Sequence, residues 1–552
     1  MVSSSWMPAL RWHHLVVSIA LILVFAPMFW GIMAMLWPIL HSPTQWLEPL
    51  IHFYQWPGLT QSWLQSIMIS LLSTLSALWL SFQIIATYAL SRRWRSIERW
   101  LTPLLSLPHM ALAMGLVLLL APSGWLARLF QQWFTHIHWP IMVQDTWGIG
   151  MILTLIVKEV PFFILMGMAA ISQLRVRAQI DCAQNLGYTP ASAWRRLILP
   201  QWLPLMRLPI FAVLSFGLSV VDVALIIGPT RPANLSILIW QWLRDPQMTQ
   251  GALALVGILH LCLTLGVMML IWQKASQWLC TAASWQVKGK RKGWNLGRGW
   301  FSALTLLSLL TLPLMLLWSF AQRWPRGALW PSQWQTRLWQ QQSDALFDLL
   351  QTSFSLAMLT SALALVLALI IFYQLQRYQR QLPAWLIALP MVIPQLALLF
   401  GIQVSIHQLS APPFWWMVAW GHLLFVFPYV YLSISGPLQA FDQRYLITAQ
   451  SLGYGPIRAW LKVALPLLKR PLAIAFAVGA SVSLAQYLPT LMLGSGRIQT
   501  LATEAVAVTS GYDRRLIGIY ALLQAMLPFI VFSVALLLSR PSALMRKESY
   551  AA

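Results

Sequence analysis

The chain has 552 residues, of which 59% are hydrophobic and only 9% charged, where soluble domains carry about a quarter. Its formal net charge of +23 does not mark a nucleic-acid binder, because no stretch is polar enough to fold as a soluble module with a basic face. Three scattered cysteines, Cys182, Cys262 and Cys280, form neither a disulfide framework nor a metal-ligand spacing.

From the N-terminus, apolar runs near 20 residues recur, long enough to cross about 30 Å of hydrocarbon. They predict spans at 15–37, 64–90, 101–121, 147–173, 207–228 and 250–273, then at 301–320, 347–374, 383–405, 414–435, 470–494 and 516–538. The first run follows Arg11, is too long for the apolar core of a signal peptide and reads as an uncleaved span. The expected fold is an all-α integral membrane protein of about twelve transmembrane helices. Residues 1–273 and 301–552 each carry six spans, joined by a basic linker at 274–300 that can also rest on anionic lipid. With both termini in the cytoplasm, 26 of the 36 Lys and Arg residues lie inside and nine outside, with Lys158 in a span. This is the sense of the positive-inside rule. Many of the 33 tryptophans, Trp37, Trp56, Trp63, Trp240, Trp242 and Trp324 among them, stand near span ends and suit interfacial belts.

The two sets of six are related. Ala183–Pro200 (AQNLGYTPASAWRRLILP) and Ala449–Pro466 (AQSLGYGPIRAWLKVALP) agree at ten of eighteen positions, with an offset in numbering of 266 that Gly228 and Gly494 share. Earlier in each half the offset is 286, as for Pro27/Pro313 and the shared P-x-x-A-L-x-x-G of Pro108/Pro394, Ala111/Ala397 and Gly115/Gly401. The drop in offset marks an insertion in the first half, placed around Ser123 to Thr146. Two halves inserted in the same direction make a parallel repeat. Both repeated loops fall on the cytoplasmic side. In each, a short helix ends at a glycine that permits a tight cap, and a proline marks the next boundary. Tyr188/Tyr454 and Trp194/Trp460 offer aromatic contact area, with Arg195, Arg196, Arg458 and Lys462 as a charged rim. The bland reading is a pair of amphipathic loops resting on lipid.

Ionisable groups within spans are costly and are functional candidates. Lys158 and Glu159 precede Pro161 in the fourth span, and as helix neighbours they need separate partners. Asp222 lies in the fifth span with no basic residue near it in sequence; Leu488 is its counterpart, with Gln486 nearby. These four polar groups, Lys158, Glu159, Asp222 and Gln486, are candidates for a translocation pathway, and Asp222 points to a cationic or hydrogen-bonding cargo. Structural pairing of buried groups is the alternative for each. His109, His260 and His422 stand isolated, without metal-ligand spacing.

The loops resemble the cytoplasmic E-A-A-x3-G-x9-I-x-L-P segment of the membrane subunits of binding-protein-dependent ABC importers. The first copy carries Asp181, Ala183, Gly187, Leu199 and Pro200; the second carries Ala449, Gly453, Leu465 and Pro466, with Ile447 in place of the leading acid. The resemblance implies a type I permease fold in the bacterial inner (plasma) membrane, with each loop a coupling helix docked on a cytoplasmic ATP-binding subunit. It further implies two copies of that subunit, an external periplasmic binding protein delivering a small solute, and ATP and Mg used by the partner rather than bound here. Fused permeases of this size are similar to those for thiamine or ferric iron. The chain has no G-x-x-x-x-G-K-[ST] motif, since Gly289-Lys290 is followed by Arg291; no catalytic residue and no bound cofactor or metal is expected. The alternative is a 12-helix secondary transporter driven by an ion gradient, which predicts recurring intramembrane carboxylates and no dependence on an ATPase.

Overall fold

A computed structural model of the chain describes residues 7–42, 46–134, 139–282, 297–377, 382–408, 414–511 and 513–539. Most of the basic linker (283–296), Arg380 and the tail from 540 onward lie outside the described residues. The described part is α-helical except for a small antiparallel hairpin pairing Ala321–Arg323 with Gln333–Trp334, and a bridge between Thr230 and Ala233. Among the described residues, nine helices are long and apolar enough to cross a membrane, or up to twelve if each of three bent pairs is one span. The fold is thus a multi-span, all-α membrane bundle.

Four predicted spans are broken where hydropathy alone reads continuity. The run 101–121 divides into Trp94–Ser106 and His109–Leu120, and 383–405 into Ala384–Val392 and Gln395–Gln408. Pro108 and Pro394 cause both breaks: a proline lacks the N–H and pushes the preceding residue out of the helical region. Leu107 and Ile393 accordingly have ψ of 117° and 136°. The run 207–228 stops at Ser219 and resumes as Asp222–Ile227, after Val220 turns extended at ψ 130°. The run 470–494 stops at Leu484 and resumes as Leu488–Leu493, with Pro489 in its first turn, where a missing N–H costs nothing.

The halves interlock through the P-x-x-A-L-x-x-G helices. Ala111 and Ala397 are 0% and 3% exposed. A Cβ on Gly115 would press on Thr311 and Met315, in the first span of the second half. One on Gly401 would run into the Gly31 carbonyl, in the first span of the first half, and one on Gly31 would lie 2.9 Å from the Ile402 nitrogen. Each half's first span therefore packs on the other half's third.

The region read as the insertion forms the helix Trp125–Trp133, at the end of Ile149–Ile171 opposite the repeated loop. It grips the second half. Arg128, 5% exposed, donates to the carbonyls of Pro325 (2.8 Å), Ala328 (2.9 Å) and Ser123 (3.0 Å), and its guanidinium lies 5.0 Å from the Trp324 ring. Arg514 reaches the Ser123 carbonyl at 2.7 Å. Beside it, Asp513 caps the last span by accepting from the Arg515 backbone N–H (2.9 Å) and guanidinium (2.9 Å). These bonds, the Arg515 side chain foremost, hold the Asp513 carboxyl below its ordinary range. A depressed carboxyl stabilises the fold above its unfolded value near 3.9, and the gain is lost as pH falls through the folded value. Asp513→Asn is expected to lower detergent-phase stability by at most about 1 kcal/mol near neutrality, since the pair is partly exposed. The difference from the parent should shrink as the pH of the melts falls below the unfolded value near 3.9.

Candidate functional site

The two repeated loops fold alike. Val176–Asn185 and Arg444–Ser451 each end in the same cap. Gly187 and Gly453 adopt φ of 82° and 90°, and their N–H groups donate to Gln184 (2.8 Å) and Gln450 (3.0 Å). The next residues, Tyr188 and Tyr454, donate back to Ala183 (3.0 Å) and Ala449 (3.1 Å). This is the Schellman arrangement, which needs a left-handed residue and hence glycine. Ala183 and Ala449 are buried at 3% and 5% exposure, so the small residue lets the cap lie against the bundle. Asp181 is exposed on the first helix, and its counterpart Ile447 is 62% exposed.

After the cap, Pro190–Ala193 and Pro456–Ala459 each run into a five-residue π-turn, Trp194–Ile198 and Trp460–Ala464. Pro200 and Pro466 explain it. A proline clashes with the carbonyl four residues back; widening the turn by one residue relieves this, and the N–H of Leu199 and Leu465 bonds to Trp194 and Trp460, five back. The chain then bends by 66° at Met206 and by 78° at Leu468 into the fifth helix of each half.

Trp194 and Trp460 are not contact surface, contrary to the sequence-based expectation. They are 4% and 7% exposed and pack edge-on against Phe82 (6.2 Å) and Tyr373 (5.5 Å) of the long spans. What stands out instead is Leu186 and Leu452, 73% and 74% exposed at the helix ends, beside Tyr188 and Tyr454 at 37% and 40%. A cation lies over each tyrosine, Arg196 at 5.7 Å and Lys462 at 5.8 Å. Each loop thus presents an apolar tip with an aromatic and cationic shoulder. The identical Leu-Gly-Tyr triplet already marked these residues; that the tryptophans turn inward depends on tertiary packing.

The second group of candidates meets at the helix breaks. Lys158 Nζ donates to the carbonyls of Leu104 (3.2 Å) and Leu105 (3.0 Å), supplying the bond to Leu104 that Pro108 cannot. Lys158→Met is expected to destabilise the bundle by about 2 to 3 kcal/mol through those orphaned carbonyls, with Lys158→Arg less severe; thermal melts in detergent check both. Glu159 pairs with His109 Nε2 at 2.9 Å. His109, read from the sequence as isolated, opens His109–Leu120 directly after the break and packs on Phe216 at 4.6 Å; Asp222 opens Asp222–Ile227 after the break at Val220. Gln486 lies in the other break. Its amide donates to the His422 carbonyl at 3.2 Å, its Oε1 has no hydrogen-bond partner among the described residues, and the His422 ring bridges Ser483 and Thr490 at 2.8 Å each. The charged cluster belongs to one half and a neutral network to the other. Position after a break-forming proline was the signal for His109, since the corresponding residue after Pro394 is Gln395.

No family model matches the chain. It is similar to the inner membrane ABC transporter permease protein YnjC of Escherichia coli, with 31% identity over 526 residues, covering 93% of this chain and 96% of the relative. It is also similar to the thiamine transport system permease protein ThiP of Escherichia coli, with 23% identity over 524 residues, 89% of this chain and 90% of the relative. A shorter similarity, 22% over 145 residues, joins 26% of this chain to 55% of the spermidine/putrescine transport system permease protein PotC of Escherichia coli.

Proposed function

Because this chain belongs to the inner-membrane ABC transporter permeases, we propose that it is the fused two-module permease of an ATP-driven importer, carrying a small solute across the bacterial inner membrane. It is a non-enzymatic, multi-pass subunit of an ABC system. In this reading residues 1–273 and 301–552 are six-helix modules, with both termini in the cytoplasm. Each capped loop seats its leucine and tyrosine in a groove of one of two ATP-binding subunits. Closure of those subunits pushes Pro190–Leu205 and Pro456–Leu467 and, through the bends that follow, rotates the fifth helices, opening the path alternately to each side. An external binding protein delivers the solute. Relatives are named for thiamine and for spermidine/putrescine, and small solutes of that kind are the proposed cargo range.

The observation that carries this reading is the pair of glycine-capped, π-turned segments at equivalent positions of the two halves, each with an exposed leucine at its tip. Purification from native membranes tests it. The expected result is a stoichiometric ATP-binding protein, with ATPase activity, that is lost when Gly187 and Gly453 are both replaced by valine. Uptake driven by an ion gradient without any ATPase would overturn it.

A further inference from the structure

The two repeated loops share a backbone but not a surface. At equivalent positions, 266 apart, the first carries Gln179, Asp181, Ala191 and Arg195 and the second Tyr445, Ile447, Ile457 and Leu461. These four side chains of the second loop are each more than half exposed, and each lies within seven positions of Leu452 or Tyr454. In the first loop Asp181 and Arg195 are exposed, and Gln179 and Ala191 are half-buried. The Gln179 amide is satisfied inside its own loop, exchanging hydrogen bonds with Gln201 at 2.8 and 3.2 Å. Tyr445 and Leu467 take those two places in the second loop; Leu467 is also exposed and has no polar group to exchange. Lipid does not account for the difference. In a parallel repeat the two copies share one depth in the membrane, so a position facing acyl chains must be apolar in both. Asp181 and Arg195 show that these positions face water in the first half. Ile447 and Leu461 therefore stand in water until a partner covers them, and an exposed apolar patch of this kind marks an interaction surface.

We propose that the second loop is the anchor of the ATP-binding subunits and the first loop their weaker, salt-sensitive contact. The inference rests on the permease reading and adds a ranking of its two docking sites. Two copies of one ATP-binding subunit offer identical grooves, so the difference between the loops must appear as a difference in affinity. Burial of one further side chain of isoleucine size corresponds to about tenfold or more in binding. Apolar contact survives added salt, whereas contacts made by the exposed charges of Asp181 and Arg195 are screened. One subunit thus stays on the chain under conditions in which the other leaves.

A salt wash tests this on the full chain. The chain is immobilised in nanodiscs, free of nucleotide, with the ATP-binding subunits that co-purify from native membranes, and KCl is raised from about 0.1 to about 1 M. The number of subunits per chain is expected to fall from two to a plateau of one before the last is lost. A photo-crosslinker on Asn185→Cys or Ser451→Cys, equivalent exposed positions, shows which loop still holds it. The background carries Cys182→Ser, Cys262→Ala and Cys280→Ser. At the plateau the crosslink from position 185 should have dropped at least about tenfold relative to that from 451. Exchanging surfaces should move the result both ways. Tyr445→Gln, Ile447→Asp and Leu461→Arg together should abolish the plateau, and Asp181→Ile with Arg195→Leu should keep two subunits on the chain through the wash. All five positions are at least half exposed or lie on the loop surface, and an unchanged melting temperature confirms that the fold is intact. Simultaneous loss of both subunits from the parent, a plateau held from position 185, or exchanges without effect would each overturn the proposal. So would a crosslink from Ile447→Cys to lipid or to a second copy of the chain in place of the ATP-binding subunit. Equal retention of two subunits removes the ranking alone, whereas absence of any ATP-binding subunit at low salt removes the permease reading itself.

Discussion

Leu186→Asp combined with Leu452→Asp is expected to release the chain from its ATP-binding subunits while leaving its own melting temperature unchanged. Both side chains are about three-quarters exposed, at 73% and 74%, so nothing within the chain depends on them. Burying a leucine in a partner groove contributes about 1.5 to 3 kcal/mol, and an aspartate there adds the desolvation of a charge. Each single substitution should therefore weaken association about tenfold to a hundredfold, and the pair should abolish co-purification and ATPase activity. The singles need not be equal, because Asp181 flanks one loop and Ile447 the other. Trp194→Ala supplies the contrast. That side chain is buried against Phe82, so its loss should cost about 3 to 5 kcal/mol of stability before any effect on docking is seen. Undiminished recovery of the ATP-binding subunit by the double aspartate variant would remove these loops from the interface.

The second large effect is expected at Gly401. A valine there would drive its Cβ into the Gly31 carbonyl, and a backbone atom in a packed helix cannot step aside as a side-chain end can. Overpacking of this kind costs about 1 to 3 kcal/mol where side chains can give, so the upper end is expected here. The loss should appear as a lowered thermal midpoint and as partial proteolysis between the halves. Gly436→Ala is the matched control. It lies in the helix Phe414–Gln439 with nothing among the described residues within 4 Å of a new Cβ, so helix propensity should make it neutral or slightly stabilising, by up to about 1 kcal/mol. Equal melting of Gly401→Val and the parent would show that the first and third spans do not interlock.

Most spans were legible because an apolar run of about 20 residues has few alternatives in a bilayer. Three of the four breaks were not, since Pro108, Pro394 and the Val220-Val221 pair are themselves apolar and leave hydropathy unchanged. The loops were legible as a repeat, and their glycines as caps, because cap chemistry is local. The inward turn of Trp194 and Trp460 depends on which long span lies beneath, and the sequence of the loop does not contain that. Glu159 and His109 are 50 residues apart, and Asp222 is further along still. Their approach is set by how the halves of broken helices pack, which no spacing within one element encodes.

The interlocking of Gly31 with Gly401 also bears on how the chain is made. The two residues are 370 positions apart, and synthesis at about 5 to 20 residues per second separates them by roughly 20 to 70 s. During that interval the face of the first span that ends against Ile402 and Leu398 has no partner from its own chain. Lipid or the insertion machinery must cover it, and the first six spans reach their final packing only when the third span of the second half arrives. Because both spans belong to one polypeptide, the late partner comes from the same ribosome, at the same place in the membrane.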